Sequence, residues 1–205
     1  MTNGIKTERK MSSRDYILSR AKTNKPDAIE LPKIDLKVFD DSRNVLNEFI
    51  KKVETAGGNV FEATSNENVV SQVKAIFPDA KVNFSTLKGS ESFNTVNFES
   101  IKRPHDLRDL DILILESDLG VAENGAIWLK DSQIPMRVLP FIAKHLVLLL
   151  KKDTIVTFMH QAYQKLASED TDFGVFISGP SKTADIEQSL VIGAHGALSV
   201  TVFFI

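Results

Sequence analysis

A chain of 205 residues is long enough for one domain with a full core and short for two. Its 42% hydrophobic and 25% charged residues suit an ordinary globular protein, and a net charge of −2 offers no global field to nucleic acid or an anionic membrane. The absence of cysteine excludes disulfides, thiolate metal sites, thiolate-ligated iron–sulfur clusters and a cysteine nucleophile from this chain.

Met1 to Lys10 show no apolar periodicity and read as a flexible tail. This polar start lacks the roughly 7–15-residue apolar core of a secretory signal. Runs such as "LVLLL" (146–150) are strand-length, so the expectation is a cytoplasmic protein without a membrane span. Residues 11–42 are expected to hold a short helix in "SSRDYILSRAKTNKP", with Tyr16, Ile17 and Leu18 touching the body and Pro26 ending it, followed by a connector.

From Arg43 to Ile205 the pattern is that of an α/β domain. Val45, Leu46, Phe49, Ile50 and Val53 recur at helical spacing, and Gly57-Gly58 supply a C-cap signal. "NVFEA" reads as a strand, and Val69, Val70, Val73, Ile76 and Phe77 form a second helical stripe stopped by Pro78. "AKVNFS" reads as a strand, and residues 86–110 as a long loop with a short helix. The unbroken apolar runs "LDILILES", "GAIWLK" and "HLVLLL" predict buried strands, and Ile155 to Leu166 an amphipathic helix. "DFGVFIS" predicts a strand, Thr183–Val191 a helix, and "LSVTVFFI" a closing strand. The sheet is expected to be open and at least partly parallel, with Trp128 and the phenylalanines in the core.

In such sheets ligands gather at the carboxyl ends of strands. Two loops there stand out. "ESDLGVAENGAIWL" sets Glu116, Asp118 and Glu123 within eight residues and carries Gly120 and Gly125, which permit close backbone approach. It reads either as a turn with solvated acids or as a carboxylate, Glu123, aimed into a pocket as base or nucleophile. In "ISGPSKTADIE", the helix expected after Gly179-Pro180-Ser181 would gather free N–H groups, the Ser181 and Thr183 hydroxyls and the Lys182 ammonium. That suits an anion; it equally suits a plain N-cap with Asp185 favouring the dipole.

His195, between Gly193 and Gly196, is a candidate acid, base or donor to a ligand. Arg137, in a proline-bounded loop, could receive a carboxylate or phosphate or stand in solvent. His105, His145 and His160 are scattered and form no zinc-binding pair, so no metal site is predicted. The Walker pattern and G-x-G-x-x-G are both absent.

"GVAENGAIWL" (120–129), "RVLPFIAKHLVLLL" (137–150), "ISGPSKTADIEQSLVIGAHG" (177–196) and, more loosely, "RNVLNEFIKKVETAGGNVFEA" (43–63) resemble the LUD domain family of the LutC (YkgG) type. The resemblance implies a Rossmann-like open sheet of the NagB/RpiA/CoA-transferase-like type, a single domain with an N-terminal helical extension. It also implies a LutC-like subunit of an L-lactate oxidation system that binds a small carboxylate or phosphorylated ligand. Redox centres would lie on LutA-like and LutB-like iron–sulfur partners.

By the same resemblance, Gly120, Glu123 and Gly125 match one family motif. Gly179, Pro180, Ser181, Thr183, Asp185 and Glu187 match a second, and Gly193, His195 and Gly196 a third. Departures are Asn124 and Ala126, where the family turn carries two threonines, Lys182 in place of Arg, and Ala197 in place of Pro. "ENG" also resembles the turn of CoA transferases whose Glu accepts an acyl group. An independent isomerase or acyl/CoA transferase using Glu123 is therefore one alternative, and a regulatory or scaffold module with a degenerate site is another.

Overall fold

A computed structural model describes residues 12–30, 32, 35, 39, 43–184 and 190–205. It divides into two units, Met1–Ser42 and Arg43–Ile205. The expected tail, 1–10, lies outside the described residues. In the first unit, helix α1 (Ser13–Thr23) begins where the Ser12 hydroxyl accepts the Asp15 N–H at 3.2 Å, and it places Arg20 and Lys22 in its last turn. Within this unit Tyr16, Ile17 and Leu18 are exposed.

The second unit opens with α2 (Val45–Thr55), whose first turn is capped by Asn44, and β1 (Asn59–Glu62). Gly57 (φ +87°) lets α2 end in the predicted C-cap, its N–H donating to Glu54 O and that of Gly58 to Val53 O. Then come α3 (Asn66–Ile76), capped by Ser65, β2 (Asn83–Ser85), three short 3₁₀ turns within 91–107, and β3 (Ile112–Ser117). The middle of the chain supplies β4 (Gly120–Val121), β5 (Ala126–Lys130), α4 (Leu139–Ile142), β6 (His145–Leu150), β7 (Ile155–Val156) and α5 (Met159–Leu166). The last elements are β8 (Gly174–Ile177), β9 (Lys182–Ala184), β10 (Leu190–Ile192) and β11 (Ser199–Phe204).

Five strands form a parallel sheet in the order β1-β11-β6-β3-β2, with Asn59, Thr201, Val147, Ile114 and Ser85 in one register row. Alternation sorts the apolar runs onto two faces. Ile112, Ile114, Val147, Leu149 and Phe203 meet Val69 and Val73 of α3. Leu113, Leu115, Leu146, Leu148, Val202 and Phe204 meet Phe49 and Val53 of α2, together with Ile127 and Leu129 of a second sheet. Burial on both faces is why these strands are unbroken apolar runs, each fully buried side chain contributing about 1.5–3 kcal/mol. The second sheet, β7-β4-β5-β8, carries α5 on its outer side through Ala162, Val121 and Trp128.

One expected element is different. Of the helix expected over Thr183–Val191, residues 185–189 lie outside the described residues, and the described ends are strands: β9 and β10 pair antiparallel, with Val191 opposite Thr183 and Ile192 opposite Lys182. The Ser181 N–H donates to Ala197 O (2.9 Å) and Ser181 O accepts from Gly193 (3.0 Å), so Ser181 is fixed by the chain that follows β10. β-branched residues at the paired positions favour the strand. The amphipathic helix expected from Ile155 starts later, at Met159, with Ile155 in β7. No described helix is long and apolar enough to cross a membrane.

Candidate functional site

The sequence-predicted residues converge, but on a packed junction. Gly125 (φ +67°) lies against α2; a Cβ there would stand 2.7 Å from Val53 N. At Gly120 a Cβ would meet the Leu150 side chain at 2.7 Å. The Asn124 side chain accepts the Ala126 N–H, and Asn124 O accepts the Ser178 hydroxyl at 2.7 Å, tying this turn to the segment after β8. Gly179 (φ +67°) leaves no room either, since a Cβ would lie 2.4 Å from Ala56 O, and Pro180 reaches the space beside Gly57. At each of these glycines a side chain would collide with the packed neighbours.

The charged groups of the junction hold helix ends. Lys182 Nζ donates to Ala56 O at 2.6 Å, where Ala56 is the C-cap of α2. A cation there satisfies an orphan carbonyl and complements the dipole, so the expected cradle of a helix N-terminus is replaced by the end of another helix. Glu123 Oε2 accepts the Met159 N–H at 2.9 Å, at the start of α5, while the Glu123 N–H donates to Thr157 O. Its carboxylate thus caps α5.

Thr183 lies in β9, and Asp185 and Glu187 lie outside the described residues. Gly193 (φ +79°) packs against Leu198, Gly196 sits beside Ser181, and His195 between them is exposed. Arg137 is elsewhere, 3.7 Å from Asp131 and with its guanidinium 5.0 Å over the Phe173 ring.

An open cleft of about 470 Å³ lies instead at the carboxyl ends of β2, β3 and β6. Thr86, Glu116, Ser117, Asp118 and Lys151 line it, with the 131–135 loop along one wall. Most of its polar groups are committed. Lys130 bridges Asp118 (2.9 Å) and Glu169 (3.2 Å), and its hydrogen bond to Asp118 raises its pKa above the usual lysine value. Asp131 accepts the Thr171 hydroxyl and faces Arg137. The Ser117 hydroxyl donates to Trp128 O at 2.6 Å.

Glu116 and Lys151 are different. Both are exposed in the cleft, and among the described residues neither side chain takes part in a hydrogen bond or ion pair. Sequence reasoning named Glu116 among three acids but favoured Glu123, and it passed over Lys151. The available signal was position: each stands at the carboxyl end of an unbroken apolar strand. Among the described residues no group of three or more His, Cys, Asp or Glu side chains could hold a metal ion.

The amino end of the parallel sheet is closed by structural polar contacts. Asp111 Oδ2 accepts the Lys81 and Val82 N–H groups, and Oδ1 accepts Lys144 Nζ at 2.6 Å. Burial alone would raise the Asp111 pKa; the Lys144 and backbone donors outweigh it and bring it down to about 2. His145 stacks on Phe77 (4.1 Å between ring centres) and its Nδ1 lies 2.8 Å from Ser199 Oγ; burial lowers its pKa.

The pattern of the LUD domain family matches residues 90–205. Among curated proteins, Lactate utilization protein C 1 of Bacillus mycoides is 26% identical over 204 residues, covering 85% of this chain and 87% of that protein. Lactate utilization protein C of Oceanobacillus iheyensis is 34% identical over 97 residues, covering 44% of this chain and 42% of that protein. That of Anoxybacillus flavithermus is 37% identical over 86 residues, 42% and 39% respectively, so in these two the match spans about two fifths of the relative's length. A crystal structure of a DUF162 family protein from Deinococcus radiodurans aligns with a TM-score of 0.60 at 14% identity, over 78% of this chain and 95% of that one. This last similarity concerns the fold alone.

Proposed function

This chain belongs to the LUD domain family, and from that premise we propose that it serves lactate utilization in the cytoplasm, as the ligand-holding subunit of an L-lactate-oxidizing system. The observation that carries the reading is the match to a Lactate utilization protein C 1 along nearly the whole length of both chains. Electron transfer belongs, in this reading, to LutA-like and LutB-like iron–sulfur partners, because a chain without cysteine has no thiolate to ligate such a cluster. The ligand is a small anion, and the place for it is the cleft rather than the 179–196 segment, whose Lys182 is already engaged with α2.

An acyl-transferase reading through Glu123 would require that carboxylate to leave the α5 N-terminus before it could attack. The lactate reading has a direct test. A strain lacking the gene is expected to fail on L-lactate as sole carbon source, to grow normally on glucose, and to recover when the gene is returned. Undiminished growth of the deletion strain on L-lactate would overturn the proposal.

A further inference from the structure

We infer that the cleft binds a short 2-hydroxy or 2-amino monocarboxylic acid, with the Lys151 ammonium on its carboxylate and the Glu116 carboxylate on the adjacent hydroxyl or ammonium. This names the ligand class for the role proposed above and rests on that reading.

The argument begins with register. Glu116 of β3 pairs with Leu149 of β6, and Lys151 follows two residues later on the extended chain leaving β6. Period-two alternation puts Glu116, Leu149 and Lys151 on the same side of the sheet. Strand spacing and rise set their Cα atoms roughly 8 Å apart. Two side chains of opposite charge rise from these neighbouring backbone positions and yet do not pair, and neither is taken up by another described group.

Their neighbours sharpen the selection. Asp118 is neutralised by Lys130 and Asp131 faces Arg137, so among the described residues the cleft presents one uncommitted cation and one uncommitted anion. A carboxylate accepts only, so Glu116 requires a donor on the ligand; Lys151 donates only and requires an acceptor. A molecule with a carboxylate and a hydroxyl or ammonium on the next carbon meets both demands within the span of two side chains. A phosphate group would meet one lysine among Glu116, Asp118 and Asp131, and like charge disfavours it. A plain carboxylic acid would leave Glu116 without a donor.

Calorimetry on the full chain tests this, with sodium L-lactate, L-alanine, propionate and inorganic phosphate as probes. L-Lactate or L-alanine is expected to bind about tenfold or more tightly than propionate, and phosphate more weakly than either. Lys151→Met should weaken every carboxylic acid by about tenfold. Glu116→Gln should weaken L-lactate and L-alanine but leave propionate unchanged, a split that loss of structure would not produce. Lys182→Met, which alters only the end of α2, should leave all affinities as they are. The inference is overturned if neither L-lactate nor L-alanine binds, if binding survives both cleft variants, or if phosphate binds best. Normal growth of the deletion strain on L-lactate would overturn the lactate role instead, whereas rescue of growth by a chain that binds none of these acids would overturn the ligand assignment alone.

Discussion

Gly179 shows how single positions shape this molecule. Its φ of +67° and the 2.4 Å that would separate a Cβ from Ala56 O leave alanine neither a comfortable backbone nor space. Gly179→Ala is therefore expected to lower stability by about 1–3 kcal/mol in urea unfolding, without changing the affinity of the cleft for any acid. Asp111 makes a pH-dependent contribution. Its folded pKa, near 2, lies below the ordinary 3.8, so the stability it adds is complete above about pH 4 and is lost as the pH falls toward 2. An Asp111→Asn variant should be less stable at pH 7 and should lose less on acidification through that window, as measured by unfolding at stepped pH. His145 acts in the same direction at higher pH: its lowered pKa favours the neutral ring, and stability declines as the pH falls below the usual histidine value.

Elements were legible in proportion to how far their own sequence decides them. The helices α2 and α3 follow from stripes such as Phe49/Val53 and Val69/Val73 and from their Asn44 and Ser65 caps. Strands β3, β6 and β11 follow from apolar runs that only a sheet covered on both faces accommodates. The pairing of β9 with β10 was not legible, because "PSKTADIEQ" carries the start signals of a helix, while the deciding bonds of Ser181 go to Gly193 and Ala197, distant in sequence. α2 earns its place by burial as well as pattern. Phe49 is fully buried, 6.0 Å from the Phe204 ring, and lies in the layer between the two sheets. Phe49→Ala should cost about 3–5 kcal/mol by denaturant unfolding, more than any surface substitution on the same helix.

At the scale of the whole molecule, the strand order is what makes the cleft. Thr86, Glu116 and Lys151 stand at the carboxyl ends of three different strands, and the parallel neighbours β2, β3 and β6 bring them to one cleft. The class of fold could be read from the chain, since alternating helices and apolar strands imply an α/β sheet. The position proposed for the site could not, because local motifs such as "ENG" and "GPSK" carry no record of what their side chains reach. Glu123 reaches α5 and Lys182 reaches α2, contacts with the scaffold on which the proposed relocation of the ligand rests. The most direct test of this relocation is the map of backbone amide chemical shifts in the ¹⁵N-labelled chain during titration with L-lactate. The account predicts shifts centred on Thr86, Glu116, Ser117 and Lys151, with Ser181 to Gly196 unmoved; shifts confined to Gly179 through Gly196 would contradict it.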